Sequence, residues 1–133
     1  MSFHFFGILV SAIGMFALGG TWYSPMLFAK AWARESGTPE EHNANPKVQI
    51  RFFTVLFLWL VLAAGTLDYV LGHWAPGDGI AHGLSVGFTG GILAAAVIGM
   101  DTLFERKSAK LFLINAGYYV LSFCAAGVIL SLF

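Results

Sequence analysis

The sequence predicts an all-α integral membrane protein: a four-helix transmembrane bundle with a short interfacial amphipathic helix after the first span. Three observations carry that expectation. Hydrophobic residues make up 58% of the chain and charged residues 11%, against roughly 45–50% and 25% in soluble domains, so a chain this small lacks the residues for a polar surface. Four apolar segments each reach the roughly 20 residues that a helix needs to cross a bilayer core. The 7 Lys and Arg residues gather in or beside two of the three connections between those segments.

The chain reads as a single transmembrane domain over residues 1–133. The first span covers about residues 3–23. It is expected to be retained, because its basic residues follow it and no positively charged segment precedes it, unlike a secretory signal peptide. In TWYSPMLFAKAW, Ser24 then Pro25 reads as a cap and first helical position. An interfacial helix over about residues 25–36 follows, with Met26, Phe28, Ala29, Trp32 and Ala33 on one arc and Lys30 and Arg34 opposite, facing lipid phosphates. Gly37 ends it, and Thr38-Pro39-Glu40-Glu41 reads as a capping-box start for another short turn.

The second span covers about residues 50–71, its helix starting earlier, with Asn45 as cap and Pro46 in the first turn. A stripe of Arg51, Thr54, Leu58, Val61, Gly65 and Asp68 is expected to face the bundle. The third span covers about residues 80–101 and carries a ridge of small residues, Gly83, Gly87, Gly91, Ala95 and Gly99. Such a ridge lets helix backbones approach closely, against another helix of this chain or of a second copy. The fourth span covers about residues 109–131, capped by Ser108.

Lys30, Arg34, Lys47, Arg51, Arg106, Lys107 and Lys110 all lie in or beside the first and third connections; GHWAPGDGIAH, the second, has no Lys or Arg, and neither terminus has one. The positive-inside rule then places the basic connections in the cytoplasm and both termini outside. Lys30, Arg34, Arg106, Lys107 and Lys110 are the interfacial cations. Asp101 and Glu105 are expected to form solvated ion pairs with Arg106 and Lys107.

The candidate binding residues are Trp22, Tyr23, Ser24, Pro25, Asn115, Tyr118 and Tyr119. Asn115 lies about 9 Å inside the fourth helix, a depth matching the end of the first span. An amide in hydrocarbon needs a partner, so Asn115 is expected to pair with a group in Trp22 to Ser24, fastening the two helices or lining a small pocket. On the outer side lie His4, His73, His82, Asp68 and Asp78. Asp78 and His82 stand four apart, but no established metal-ligand spacing is present, and no metal or cofactor is expected. Asp68 has no basic residue on its side, so its partner must be water, a histidine or a helix N-terminus. The single cysteine, Cys124, allows neither an internal disulfide nor a cysteine-based zinc site.

TWYSPMLFAKAW near one end and LFERKSAKLFLINAGYYV near the other resemble the family called domain of unknown function 1761. The resemblance covers essentially the whole chain, with the two ends more specific than the middle. It implies a small four-span bacterial membrane protein, placed in the inner membrane, and implies no activity.

No glycine-rich phosphate loop, nucleophile elbow or paired catalytic carboxylates is present, and no basic nucleic-acid footprint. A non-catalytic binding, assembly or accessory subunit of a larger membrane complex is the expected function, with the bilayer and a membrane-protein partner or a second copy as partners. The alternative is a small dimeric transporter or channel. Ion-coupled transport normally needs an ionisable group near mid-membrane, and no span has one near its centre.

The orientation has a direct test. A cytosol-only fluorescent reporter fused after Phe133 is expected to stay dark, and a periplasm-only phosphatase fused there to be active. The reverse pattern would overturn the assignment.

Overall fold

A computed structural model describes residues 4–37 and 46–133. Five helices follow in order: α1 (Phe5–Trp22), α2 (Ala29–Ser36), α3 (Pro46–His73), α4 (Ile80–Phe104) and α5 (Ala109–Ser131). All but α2 are long and apolar enough to cross a membrane. The chain is an all-α, multi-pass membrane protein. The proposed cap Asn45, the Thr38-Pro39-Glu40-Glu41 turn and the first residue of the expected first span, Phe3, lie outside the described residues.

The helix limits follow from local chemistry. α1 stops before Ser24-Pro25, because proline disfavours helical geometry in the residue before it. Gly37 closes α2 in the left-handed conformation at φ 77° and donates its N–H to the Ala33 carbonyl. At the α4–α5 turn Arg106 takes a positive φ of 56°, and the Ser108 hydroxyl accepts from Leu111 N at 3.1 Å, capping α5. α4 runs one turn beyond the expected limit of 101, to Phe104.

One expectation at the first connection is corrected. The interfacial helix begins at Ala29, not at Pro25, and Ser24 is not its cap. Residues 24–28 instead form a compact turn. Ser24 O accepts from Leu27 N and Ala29 N, Trp22 O accepts from Phe28 N, and the Ser24 hydroxyl donates back to Thr21 O at 2.7 Å. The Ser-Pro pair turns the chain back, and the helix starts only after the reversal.

The transmembrane helices pack in the order α3, α1, α5, α4. α4 and α5 form the most extensive contact, α1 packs on both α5 and α3, and α3 meets α4 only sparingly. The buried centre joins Ile8, Ala12 and Met15 of α1 with Leu60, Ala64 and Leu67 of α3 and Ala126 and Leu130 of α5. Phe16 lies edge-on to Phe53 and Phe57, extending the α1–α3 contact. The expected α3 stripe holds only in part. Val61, Gly65 and Asp68 are inward or half-buried, whereas Arg51, Thr54 and Leu58 are exposed, their half of α3 turning Phe57 and Leu60 inward.

The small-residue ridge of α4 meets α5 of the same chain. A Cβ built at Gly83 would collide with the Gly127 carbonyl, one at Gly87 with the Phe123 carbonyl, and one at Gly91 would come within 2.8 Å of Val120 Cα. Gly127 reciprocates against the Gly83 carbonyl. Gly99 lies under the Phe112 ring, and Ala95 is half-buried. Lipid tails are as apolar as leucine, so close packing of this kind, rather than escape from water, holds transmembrane helices together.

Gly87→Leu inserts a side chain where two backbones touch. Overpacking costs typically about 1–3 kcal/mol, so a marked loss of thermal stability in detergent is expected. Ser85→Leu, at an exposed position on the same helix, should cost much less; equal losses would argue against a packed ridge.

Candidate functional site

The end of α1 and the first half of α5 are joined by side chains that donate to the opposite helix. Trp22 Nε1 donates to the Ile114 carbonyl at 2.8 Å. The Tyr118 hydroxyl donates to the Met15 carbonyl at 2.8 Å. The Tyr23 hydroxyl donates to Asn115 Oδ1 at 2.8 Å. Further along the seam Ser11 Oγ reaches the Ala126 carbonyl at 3.5 Å. A helical carbonyl keeps a second lone pair after its backbone bond, and Trp22, Tyr118 and Ser11 use it.

Two glycines make the reach possible. The Trp22 ring lies on Gly117, where a Cβ would stand 3.0 Å from Cζ2, and the Tyr118 ring lies on Gly19, where a Cβ would stand 3.1 Å from the hydroxyl. Each helix therefore offers a glycine as the floor for the other helix's aromatic ring. Around this core Trp22 packs on Phe28 at 4.7 Å, and Tyr23 meets Trp32 at 6.3 Å and Tyr118 at 5.6 Å between ring centroids.

Of the seven candidate binding residues, four come together: Trp22, Tyr23, Asn115 and Tyr118. Tyr119 joins them only through its ring, 5.2 Å from that of Tyr118. Ser24 bonds within its own turn, and Pro25 is exposed. The geometry is that of a clasp between helices. The Asn115 amide nitrogen and the Tyr119 hydroxyl have no hydrogen-bond partner among the described residues. The glycine floors Gly19 and Gly117 and the α5 contact Gly127 were not singled out from sequence. Their signal was a small residue within one turn of an aromatic that faces the other helix.

The interfacial cations surround this end. Lys30, Arg34, Arg106 and Lys110 are exposed, and Lys107 Nζ donates to the Ser36 carbonyl at 3.0 Å. The expected pairing of Asp101 and Glu105 with Arg106 and Lys107 is corrected: among the described residues no such bridge forms, Lys107 turns to Ser36 instead, and Asp101, Glu105 and Arg106 are exposed.

At the opposite end Asp68, nearly fully buried, accepts from His4 twice. Its Oδ1 lies 2.8 Å from Nδ1 of the ring, and its Oδ2 accepts the His4 backbone N–H at 3.2 Å. The other outer residues do not converge. His73 stacks on Tyr69, His82 Nε2 lies 2.7 Å from the Ala75 carbonyl, and Asp78 is exposed. No group of three His, Cys, Asp or Glu side chains that could hold a metal occurs among the described residues.

Two openings are apolar. A cleft of about 690 Å³ between α3 and α4 is lined by residues such as Trp59, Leu62, Val86, Leu93 and Phe123, with Thr66, Ser85 and Thr89 at its walls. A second, of about 650 Å³, lies between Phe16 of α1 and the start of α3. Neither lining includes an ionisable side chain.

The model of one protein family matches residues 6–131, nearly the whole chain. The chain belongs to that family, described as protein of unknown function (DUF1761). Neither a curated protein nor a solved structure matches it. In this DUF1761 chain the two segments that carried the resemblance, TWYSPMLFAKAW and LFERKSAKLFLINAGYYV, supply the two halves of the clasp.

A double-mutant cycle tests the Tyr23–Asn115 bond. Side-chain hydrogen bonds in membranes average about 0.6 kcal/mol, with a maximum near 1.7. Tyr23→Phe and Asn115→Leu are each expected to lower stability in detergent modestly, and together by less than the sum. Strict additivity would show that the two groups do not pair.

Proposed function

We propose that the chain is a non-catalytic binding, assembly or accessory subunit of a larger complex in the inner membrane of a bacterium, with both termini periplasmic. One observation carries this reading: Trp22, Tyr23, Asn115 and Tyr118 fasten α1 to α5, whereas the opening between α3 and α4 is apolar and unlined by ionisable groups. Transport coupled to an ion needs such a group near mid-membrane, and catalysis needs reactive groups that converge on one space. The clasp supplies stiffness, not chemistry. The seven-to-zero division of Lys and Arg supports the orientation.

A small dimeric transporter or channel is the second reading. Three hydroxyl-bearing residues in the α3–α4 cleft favour it, since a second copy closing that cleft would enclose them. Thr66 and Thr89, however, donate to the Leu62 and Ser85 carbonyls of their own helices and so present mainly methyl groups.

Purification from the native membrane in mild detergent separates the two. A larger membrane protein co-migrating in fixed stoichiometry is the expected result. A clean homodimer whose stability shifts with a small solute would overturn the subunit reading in favour of transport.

A further inference from the structure

The basic end of the molecule presents cations on a fixed frame. α2 buries Ala33 against the bundle, and its Trp32 ring packs on Tyr23. Lys107 reaches across from the α4–α5 turn to the Ser36 carbonyl at the end of α2. That bond ties α2 to the turn carrying Arg106 and leads directly into Lys110. Lys30 and Arg34 of α2 and the cations at the α4–α5 turn, far apart in sequence, are thereby joined at one end of the molecule.

Their surroundings point to what they meet. Lys30 and Arg34 stand four apart, so they share one flank of α2, and Glu35 falls on the other. Among the described residues none of Lys30, Arg34, Arg106 and Lys110 forms an ion pair. Lys30, Arg34, Arg106 and Lys110 are thus exposed without a carboxylate partner there. Large apolar side chains stand exposed beside them: Met26 at 88% and Leu27 preceding α2, and Leu103 and Phe104 at 85% preceding Arg106. Cations above an apolar rim match the boundary between phosphates and acyl chains. The His4 end has no Lys or Arg, so the match exists at one face of the membrane only.

We propose that Lys30 and Arg34 of α2, with Arg106 of the α4–α5 turn and Lys110 in the first turn of α5, form one binding surface selective for anionic phospholipid headgroups. The partner is the monoanionic phosphodiester lipid of the leaflet that this end occupies. Lys107 has a different role, as the positioning residue that holds α2 in register with the turn.

The test uses the full chain purified in non-ionic detergent. Phosphatidylglycerol and phosphatidylcholine of identical acyl chains are titrated against thermal stability, and retained lipid is counted by native mass spectrometry. Phosphatidylglycerol is expected to stabilise the protein more and to be retained preferentially. A cation near an anionic surface contributes about fivefold in affinity. Lys30→Gln with Arg34→Gln should therefore weaken the phosphatidylglycerol response by roughly five- to thirtyfold and leave the phosphatidylcholine response unchanged. Arg106→Gln with Lys110→Gln should do the same from the other connection, which guards against a folding defect peculiar to α2. Salt at about 1 M, where the screening length falls to about 3 Å, should abolish the preference. Equal responses to the two lipids, or undiminished phosphatidylglycerol binding in both double variants, would overturn the proposal. So would an equal shift with glycerol phosphate alone, which would mark a general anion effect.

Discussion

Everything in this bundle hangs on how closely α1 and α5 can approach. Within hydrocarbon no hydrophobic force drives helices together, because leucine gains nothing by leaving lipid for protein. What remains is van der Waals contact and hydrogen bonding, both of short range. Gly19 and Gly117 let the two helices come near enough for Tyr118 and Trp22 to rest against the opposite glycine and donate to backbone carbonyls of that helix. A methyl at either glycine would stand 3.0–3.1 Å from the ring above it, so the ring would have to shift by a few tenths of an ångström and its hydrogen bond would lengthen. The interaction is thus conditional on shape, and the shape is conditional on two missing side chains.

α5 is gripped from its other side by the same device in a plainer form. Gly83, Gly87 and Gly91 of α4 press on Gly127, Phe123 and Val120, backbone to backbone. With α1 and α4 both bound tightly to α5, these three helices form the stiff part of the molecule. α3 is different. It meets α1 through the apolar centre and the Phe16 edge contacts, barely touches α4, and leaves the wide cleft between them. Any adjustment to a partner in the bilayer falls most easily on α3, since moving it breaks no glycine-mediated contact.

The division between what the sequence shows and what it hides follows the same physics. The spans were legible because length and apolar content decide membrane crossing, and the Lys107 and Arg106 turn because charge marks the interface. Asn115 was legible as needing a partner within Trp22 to Ser24, because an amide in lipid must find a donor or acceptor at its own depth; that the partner is the Tyr23 hydroxyl and not that of Ser24 came from the structure. The inner face of α3 was not. In a soluble helix polarity would separate Leu58 from Leu60, but lipid and core are equally apolar, so the sequence carries little mark of which leucine points inward. The α4 ridge was visible as a ridge, while its partner was not, since a single glycine, Gly127, marks the matching face of α5. Ser24-Pro25 misled because the pair favours both a helix start and a reversal; the hydroxyl chose Thr21, behind it.

Asp68 shows how one residue can answer two costs at once. A carboxylate inside a span is expensive. So is the start of a helix, whose first N–H groups have no partner, and α1 receives no cap from the His4 side chain. Asp68 accepts the His4 backbone N–H with one oxygen and meets the His4 ring with the other. A negative charge at that point also opposes the positive end of the α1 dipole. The cap that α1 lacks locally is therefore supplied by α3, sixty-four residues away. This gives α3 one directional attachment among its apolar ones. Apolar packing alone would let α3 slide or rotate against α1 at little cost, whereas a carboxylate with two fixed donors defines the register. The acid thus adds a directional bond to a helix pair whose other contacts are apolar.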